Sequence, residues 1–239
     1  MEINKIYLGD CLEVMPNIQS QSIDMILCDL PYGTTACKWD TILPFDKLWF
    51  QYERIIKPTG AIVLFGQEPF SSYLRISNVS NYKYDWIWEK SKATNFLFAS
   101  QMPLKSHENI SVFYKRKPTY NPQKNQGKPY NKGFEKRTNI EAVGKIGNGN
   151  LIINESGLRN PRTVQYFRTA ESEGKHHPTQ KPVALLEYLI KTYTNEGDLV
   201  LDNCIGSGTT AIASINTNRN FIGIEKEEKY FNIANERIK

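Results

Sequence analysis

The sequence predicts an α/β fold with a mostly parallel, doubly wound sheet and an inserted basic region. Short apolar runs alternate with amphipathic helical patterns at both ends of the 239-residue chain. This alternation is typical of parallel sheets with helices on both faces. Between the two ends, over residues 115–175, the periodic pattern is lost. We therefore expect three parts: residues 1–114, an insertion at 115–175, and residues 176–239.

The first part contains predicted strands and one predicted helix. Leu48, Tyr52, Ile55 and Ile56 share one face of this helix, which should end at the Lys-Pro-Thr-Gly of residues 57–60 because proline and glycine terminate helices. The predicted strands are short runs rich in Ile, Val and aromatic residues. They comprise residues 23–28, 61–65, 85–88 and 110–114.

Regular patterns return near residue 178. Pro182 is expected to open a helix, since proline is favoured at the first helical position and apolar residues then recur at helical spacing. Strands are expected at residues 199–201 and 221–224, each followed by a helix. The last part thus repeats the strand–helix alternation of the first.

The composition indicates a globular protein. Apolar residues make up 40% of the chain, which is enough for a core. Residues 1–10 lack a basic region followed by a long apolar run, and no stretch approaches the roughly 20 apolar residues of a membrane span. Cys11, Cys28, Cys37 and Cys204 show no Cys-x-x-Cys spacing, so neither a zinc site nor a redox pair is indicated. We expect a cytoplasmic protein without a metal.

Positive charge is concentrated in the insertion. The chain carries a net charge of +5, whereas residues 115–175 hold 13 basic and 5 acidic residues, a balance of +8. Such a patch favours a polyanion such as nucleic acid. Lys124, Lys128, Lys132 and Arg137 are the candidate phosphate contacts. A solvated lysine-rich loop is the alternative interpretation.

A glycine loop follows the strand at 199–201. Asp202 ends the strand, Gly206 and Gly208 form a Gly-x-Gly turn, and a helix begins at Thr209. Glu225 ends the next strand about 20 residues later, a spacing that puts a carboxylate beside ribose hydroxyls. There is no third glycine of a dinucleotide fingerprint and no Walker lysine. The loop favours a nucleoside cofactor, and an ordinary tight turn is the alternative.

A second polar motif follows the strand at 23–28. Pro31 lacks an N–H and pushes Leu30 into an extended conformation, so the Leu30 carbonyl can remain a free acceptor beside the Asp29 carboxylate. Two neighbouring acceptors suit an exocyclic –NH2 group, and Tyr32 offers a flat face for stacking a base. Taken alone, the tetrapeptide is also compatible with an ordinary turn.

Together the two motifs resemble the permuted, β-class DNA amino-methyltransferases, in which the catalytic motif precedes the cofactor motif. Residues 29–32 are similar to the Asp-Pro-Pro-Tyr motif of that family, and residues 202–210 to its Asp-x-Phe-x-Gly-Ser-Gly-Thr-Thr loop. Residues 177–182 resemble its segment at the methionine end of the cofactor, and residues 9–11 its strand whose acid contacts the cofactor adenine. Residues 107–110 resemble a further strand of the family. The resemblance covers residues 1–115 and 176–239.

The resemblance implies a Rossmann-like class I methyltransferase fold with S-adenosyl-L-methionine as cofactor. Leu30 replaces the family's first proline, which its backbone carbonyl should tolerate, and Asn203-Cys204 replaces a Pro-Phe pair, which removes an aromatic contact to the cofactor. The implied cofactor ligands are Asp10, Cys11, His177, Thr179, Lys181, Asp202, Cys204, Gly206, Gly208, Thr209, Thr210 and Glu225.

The implied activity is methyl transfer to an exocyclic amino group in double-stranded DNA. Asp29, Leu30, Pro31 and Tyr32 would surround the reacting amine of a base flipped out of the duplex. Asp29 favours adenine N6, since family members acting on cytosine more often have serine there. The alternatives are cytosine N4, an RNA or protein amide, and a non-catalytic nucleic-acid binder with this fold. The resemblance also allows for a homodimer.

Overall fold

The computed structural model describes residues 1–34, 40–135, 150–174 and 180–239. The chain forms two compact units. The larger unit consists of Met1–Asn121 and Thr163–Lys239, and the smaller unit is Pro122–Arg162. Both ends of the sequence therefore contribute to one unit, as their shared strand–helix alternation predicts.

Strands and helices alternate through the larger unit. The described strands are β1 (Lys5–Leu8), β2 (Ile23–Cys28), β3 (Ile56–Gly66), β4 (Tyr82–Thr94), β5 (Lys105–Phe113), β6 (Asn125–Gln126), β7 (Tyr130–Glu135), β8 (Asn150–Asn154), β9 (Leu158–Arg159), β10 (Val164–Phe167), β11 (Leu199–Asp202) and β12 (Asn220–Glu225). The described helices are α1 (Cys11–Val14), α2 (Phe45–Ile55), α3 (Phe70–Ser77), α4 (Val183–Tyr193), α5 (Thr209–Asn216) and α6 (Glu228–Arg237). None of these helices has the length and apolar character needed to cross a membrane.

Eight strands form the central sheet, in the order β1-β12-β11-β2-β3-β5-β4-β10. Neighbours are parallel, except that β5 runs antiparallel to both β3 and β4. The chain winds outward in both directions from the β11–β2 pair, where Val200 lies opposite Met25 and Leu201 opposite Ile26. A binding crevice is expected at this reversal, outside the carboxyl ends of the strands. The predicted α/β fold is confirmed.

The core lies on both faces of the sheet, because alternate residues of a strand point to opposite faces. In β2, Ile26 and Cys28 belong to the apolar cluster that contains Tyr52 of α2. Met25 and Leu27 belong to the opposite cluster with residues of α4. A strand covered on both sides needs a continuous apolar run, which explains the composition of β2.

Several elements differ from their predicted bounds. β3 begins at Ile56, directly after α2, so residues 57–60 end the helix as predicted but continue as strand. β4 extends beyond its predicted bounds at both ends, from Tyr82 to Thr94, because β5 pairs with it as far as both of these residues. The strand implied at residues 9–11 lies earlier, as β1 at Lys5–Leu8, and α1 begins at Cys11 instead. α1 and α3 have no predicted counterpart.

The smaller unit contains two short antiparallel ribbons, β6 with β9 and β7 with β8. It is narrower than the insertion predicted at 115–175, because the flanks of that region belong to the larger unit. Asn121 donates its backbone N–H to the Thr192 carbonyl over 2.7 Å. On the other side, β10 pairs with β4 and forms the edge of the central sheet.

Candidate active site

A cavity of about 1460 Å³ opens at the carboxyl ends of the central strands. It receives residues from both sequence motifs, since β2 and β11 are adjacent in the sheet. The predicted site residues that line it are Asp10, Cys11, Asp29, Leu30, Pro31, Tyr32, Lys181, Asp202, Cys204, Gly206, Thr209, Thr210 and Glu225.

Asp29 follows β2 and is engaged through both carboxylate oxygens. Its Oδ1 accepts a hydrogen bond from the Tyr32 hydroxyl over 2.5 Å, and its Oδ2 accepts one from Lys181 Nζ over 2.7 Å. Burial raises the pKa of Asp29, the Lys181 ammonium opposes this, and the negative charge of Glu108 adds to the rise. Asp29 is thus a fixed, desolvated acceptor.

Lys181 belongs to a buried chain of alternating charges. Its Nζ lies 3.2 Å from Glu108, whose other oxygen lies 2.5 Å from Lys90 Nζ. Gln67 donates a further hydrogen bond to Glu108 over 3.2 Å. Burial disfavours the charge of Glu108, but Lys181 and Lys90 outweigh it and lower the Glu108 pKa to about 2. Burial likewise opposes the charge of Lys181, whose pKa is nevertheless raised by Asp29 and Glu108.

Tyr32 and Leu30 complete the surroundings of the acid. The Tyr32 ring packs on Phe70, with centroids 5.0 Å apart and an interplanar angle of 33°. The Leu30 side chain is buried in the core, which anchors the loop after β2. Among the described residues no donor bonds to the Leu30 carbonyl. Two acceptors, this carbonyl and the Asp29 carboxylate, therefore stand at neighbouring residues.

Asp202 organises the glycine loop after β11. Its Oδ1 accepts the Cys204 N–H over 3.1 Å, and its Oδ2 accepts the Thr210 hydroxyl over 2.5 Å. Burial raises the pKa of Asp202 to about 7, although these hydrogen bonds oppose the rise. The acid thereby ties the start of the loop to the first turn of α5.

The two loop glycines have different roles. Both adopt positive φ, +54° at Gly206 and +84° at Gly208, which favours glycine. Gly206 lines the cavity, whereas Gly208 is not among the lining residues. A Cβ at Gly208 would lie 3.0 Å from the Ala234 Cβ of α6. Gly208, predicted as a cofactor contact, allows the loop to pack closely on α6.

Two further carboxylates line the cavity at the ends of β12 and β1. Glu225 accepts the Gly206 and Glu227 backbone N–H groups, each over 2.8 Å, and burial raises its pKa. Asp10 caps α1 by accepting the Leu12 N–H over 2.9 Å. A carboxylate has about four acceptor positions, so both side chains keep capacity for a ligand.

Comparison with known proteins identifies the family. A family model for N6 and N4 methyltransferases, described as DNA methylase, matches residues 23–236. The chain belongs to the DNA methylase family. The methylase is 29% identical over 247 residues to the type II methyltransferase M.HpaI of Haemophilus parainfluenzae, covering 98% of this chain and 74% of the relative. It is 28% identical over 269 residues to the type II methyltransferase M.HinfI of Haemophilus influenzae, covering 99% and 68%.

Solved structures agree with this assignment. The methylase is similar to M1.HpyAVI in its SAM complex, with 27% identity, a TM-score of 0.68 and 98% of both chains covered. The PvuII DNA methyltransferase, described as cytosine-N4-specific, gives a TM-score of 0.70 at 16% identity, covering 98% of this chain and 86% of that one. The second likeness shows the fold alone. The predicted family is confirmed, and the methylase is a DNA methyltransferase.

Asn203 and Cys204 stand where the resemblance leads one to expect Pro-Phe. Asn203 is buried in the methylase and accepts the Tyr52 hydroxyl over 2.5 Å, so its polar group is satisfied. Cys204 lies beside the thiols of Cys11 and Cys28, and burial raises the pKa of Cys28 to about 12. The three thiols are therefore protonated near neutral pH.

Some predicted residues lie elsewhere. Lys124, Lys128 and Lys132 are exposed in the smaller unit of the methylase. The predictions for Cys37, Arg137, His177 and Thr179 fall outside the described residues.

The sequence did not predict the row of alternating charges formed by Lys90, Glu108, Lys181 and Asp29, called the charge chain below. Glu108 lies in the strand at 107–110 that resembles the family, but nothing in the sequence marks it as a partner of Lys181 or distinguishes Lys90 from a surface lysine. Lys181, predicted as a cofactor contact, has its ammonium against Asp29 instead. In the described ranges, no group of three or more His, Cys, Asp or Glu residues could hold a metal ion.

Proposed function

We propose that the protein transfers a methyl group from S-adenosyl-L-methionine to the N6 amino group of adenine in double-stranded DNA. The observation that supports this most is the position of Asp29, which lies in the same cavity as the glycine loop and beside the Leu30 carbonyl. A cofactor and a flipped base could therefore meet there.

The residues of the cavity suit this cofactor. Glu225 and Asp10 keep acceptor capacity for ribose hydroxyls and for an adenine amino group, and Gly206 brings backbone to the cavity wall. The SAM complex of the similar M1.HpyAVI supports the choice. When bound, the cofactor supplies an electrophilic methyl group on a positively charged sulfur. Asp202 would hold the glycine loop in place without a contact of its own.

Asp29 and Leu30 would activate the base. An exocyclic amine is a poor nucleophile because its lone pair is conjugated into the ring. The Asp29 carboxylate and the Leu30 carbonyl would accept its two hydrogens and favour a pyramidal nitrogen with a localised lone pair. Acceptors held in place before the reaction supply most of such rate enhancements. Tyr32, braced by Phe70, would stack on the base.

The choice of adenine rests on Asp29. An ionised carboxylate is a stronger acceptor for an amino hydrogen than the hydroxyl of the serine that cytosine enzymes more often have. The family model covers both N6 and N4 methyltransferases, so the identity of the base needs a direct test.

The smaller unit would supply contacts to DNA phosphates. Its exposed lysines at 124, 128 and 132 lie in the segment with a charge balance of +8. We place the protein in the cytoplasm, because its proposed substrate is DNA. A homodimer, the other expected association, is supported only by the family resemblance.

The product of the reaction tests the proposal. Unmethylated duplex DNA of mixed sequence is incubated with the protein and S-adenosyl-L-methionine, digested to nucleosides and analysed by mass spectrometry. We expect N6-methyldeoxyadenosine. N4-methyldeoxycytidine as the sole product would overturn the base assignment, and transfer to RNA or protein but not to DNA would overturn the substrate. The Asp29→Ala variant controls for contaminating methyltransferases.

A further inference from the structure

Lys181 lies between two carboxylates rather than against one. Its Nζ is 2.7 Å from Asp29 and 3.2 Å from Glu108, and Glu108 in turn contacts Lys90. The side chains of Lys90, Glu108 and Lys181 are only 7%, 6% and 8% exposed, whereas Asp29 is 23% exposed. All four residues line the cavity, and Asp29 has the most exposed side chain of the four.

Stability alone does not explain this arrangement. Removing charges from water costs several kcal/mol per ion, and apolar residues of similar size are often as stable as a buried ion pair. The four side chains come from separate segments: the end of β2, β4, β5 and the residue two positions before α4. Among the described residues, Lys181 is the contact that joins Glu108 and Lys90 to Asp29, which points to a role at the acid.

The role follows from the strength of Asp29 as an acceptor. A buried ammonium bonded to Asp29 alone would hold the carboxylate in place but would also withdraw charge from its oxygens. A second carboxylate on the same ammonium shares that positive charge. Asp29 can then be fixed by Lys181 and still accept strongly from a base amino group.

We propose that Glu108 is a positioning residue for methyl transfer, which holds the Lys181 ammonium between two carboxylates and so preserves Asp29 as an acceptor, while Lys90 balances the charge of Glu108. This role rests on the proposed function of Asp29. Glu108 itself would not contact the reacting atoms, even though it lines the cavity.

Other ionisable groups also face Asp29. Tyr32 lies on its own loop, Cys28 ends β2, and Asp202 ends β11. Burial raises the pKa of Tyr32 and of Cys28, so both are neutral near pH 7. The charge of Glu108 also raises the Tyr32 pKa, but burial and Asp29 raise it more, so Tyr32 stays neutral near pH 7 when Glu108 is replaced. Such substitutions therefore isolate the contribution of the charge chain.

Removing the charge of Glu108 and removing the charge of Lys90 should shift the Asp29 pKa in opposite directions. The negative charge of Glu108 raises the pKa of Asp29. Loss of that charge should therefore lower the Asp29 pKa and weaken it as an acceptor. Loss of the positive charge of Lys90 should raise the Asp29 pKa. A purely structural defect would not produce shifts of opposite sign.

The test compares Glu108→Gln, Lys90→Gln, the double variant and the conservative Glu108→Asp. The dependence of kcat/KM on pH and the Kd of S-adenosyl-L-methionine are measured for each. For Glu108→Gln we expect the acid limb to move to lower pH, kcat to fall about tenfold, which is ~1.4 kcal/mol, and Kd to stay within about twofold. For Lys90→Gln the acid limb should move to higher pH. In the double variant the midpoint of the acid limb should return towards the wild-type pH. Glu108→Asp, which keeps the negative charge, should retain most of the wild-type activity.

A second measurement does not depend on catalysis. Titration of the Asp29 side-chain carboxyl carbon by NMR, without DNA, should show the same opposite shifts in the two single variants. If neither variant moves this titration, or if both move it in one direction, the role of Glu108 is wrong. Should Glu108→Gln fail to fold, an unmoved midpoint in Lys90→Gln has the same meaning. A wild-type protein that makes no methylated nucleoside would instead overturn the proposed function.

Discussion

The Tyr32 hydroxyl donates a hydrogen bond to Oδ1 of Asp29 over 2.5 Å. The two residues proposed to hold the base are therefore bonded to each other, and Lys181 takes the other Asp29 oxygen. A base amino group must use a remaining acceptor position of Asp29 or replace the tyrosine hydroxyl. The ring and the hydroxyl of Tyr32 thus make separate contributions, which substitution can separate.

Tyr32→Ala should weaken capture of the base, whereas Tyr32→Phe should not. The alanine variant loses the stacking surface, worth about 1–3 kcal/mol, so kcat/KM should fall by roughly 5- to 150-fold. The phenylalanine variant keeps the ring and leaves Oδ1 unoccupied, so its kcat/KM should stay within about threefold of wild type. Steady-state kinetics on one DNA duplex provides the measurement. Equal losses in the two variants would show that the hydroxyl, not stacking, matters.

Asp29→Ala should abolish most turnover and leave cofactor binding nearly unchanged. Removing one fixed polar group that stabilises the transition state costs about 3–4 kcal/mol, so kcat should fall by roughly two to three orders of magnitude. The cofactor Kd should hardly change, because Asp29 is proposed to contact the base and not the cofactor. Asp46→Ala, at an exposed aspartate of α2, serves as the control. Wild-type turnover in Asp29→Ala would contradict the mechanism.

Glu225→Ala should weaken binding of S-adenosyl-L-methionine at least tenfold, or about 1.4 kcal/mol. The variant loses the acceptors proposed for the ribose hydroxyls and the Glu225 bond to Gly206. Glu228→Ala is a matched control, because this exposed residue lies three positions later and does not line the cavity. Isothermal titration calorimetry gives both Kd values. An unchanged Kd in a folded Glu225→Ala variant would remove Glu225 from the cofactor site.

Neutralising Lys124, Lys128 and Lys132 should flatten the salt dependence of DNA binding. Each phosphate that a lysine no longer neutralises reduces the slope of log K against log salt by about 0.9. The control replaces Lys5, Lys57 and Lys83, which lie at the amino ends of β1, β3 and β4, away from the cavity. Fluorescence anisotropy at several salt concentrations measures the slopes. If the first triple variant keeps the wild-type slope, the three lysines form only a solvated surface.

Asp202 should make the protein less stable as the pH rises. Its pKa is raised from an ordinary 3.8 to about 7 in the folded state, so folding favours the protonated acid. The stability contributed by protonation is complete below about pH 3.8 and is lost as the pH rises through about 7. Asp202→Asn cannot titrate and keeps an oxygen for the Cys204 N–H. The free energy of unfolding of Asp202→Asn, measured in urea, should therefore rise relative to that of the wild type between pH 4 and 7. Above pH 7 the difference between the two proteins should stay constant. If the free energies of unfolding of the two proteins differ by the same amount at every pH, protonation of Asp202 does not contribute to stability.

The fold could be predicted where burial follows a simple rule. β2 matches its predicted bounds, because a strand covered on both faces is a continuous apolar run. β10 was missed because it is an edge strand with no fully buried residue, and its pairing depends on the backbone of β4. Residues 57–60 mark the end of α2, but local rules do not show that the chain then enters β3.

The candidate active site could also be predicted only in part. That Asp29 and Asp202 would share one cavity follows from the carboxyl ends of neighbouring parallel strands. The contact between Lys181 and Asp29 cannot be predicted from the sequence, because the two residues are 152 positions apart and no periodic pattern relates them. A lysine is almost never fully buried unless it is paired, so a lysine in a sequence is expected at the surface. The partners that bury Lys90 and Lys181 come from other segments, and the sequence does not show that these segments meet.

The pairing of β2 with β11 also has a consequence for biosynthesis. The ribosome makes β11 long after β2, so the edge of β2 that pairs with β11 stays unpaired while residues 29–198 are synthesised. Lys181 is also absent for most of that time and the glycine loop for all of it, and neither Asp29 nor the cofactor pocket is complete. A nascent chain without β11 and the glycine loop therefore cannot modify DNA, and activity begins only after residues 199–210 have left the ribosome.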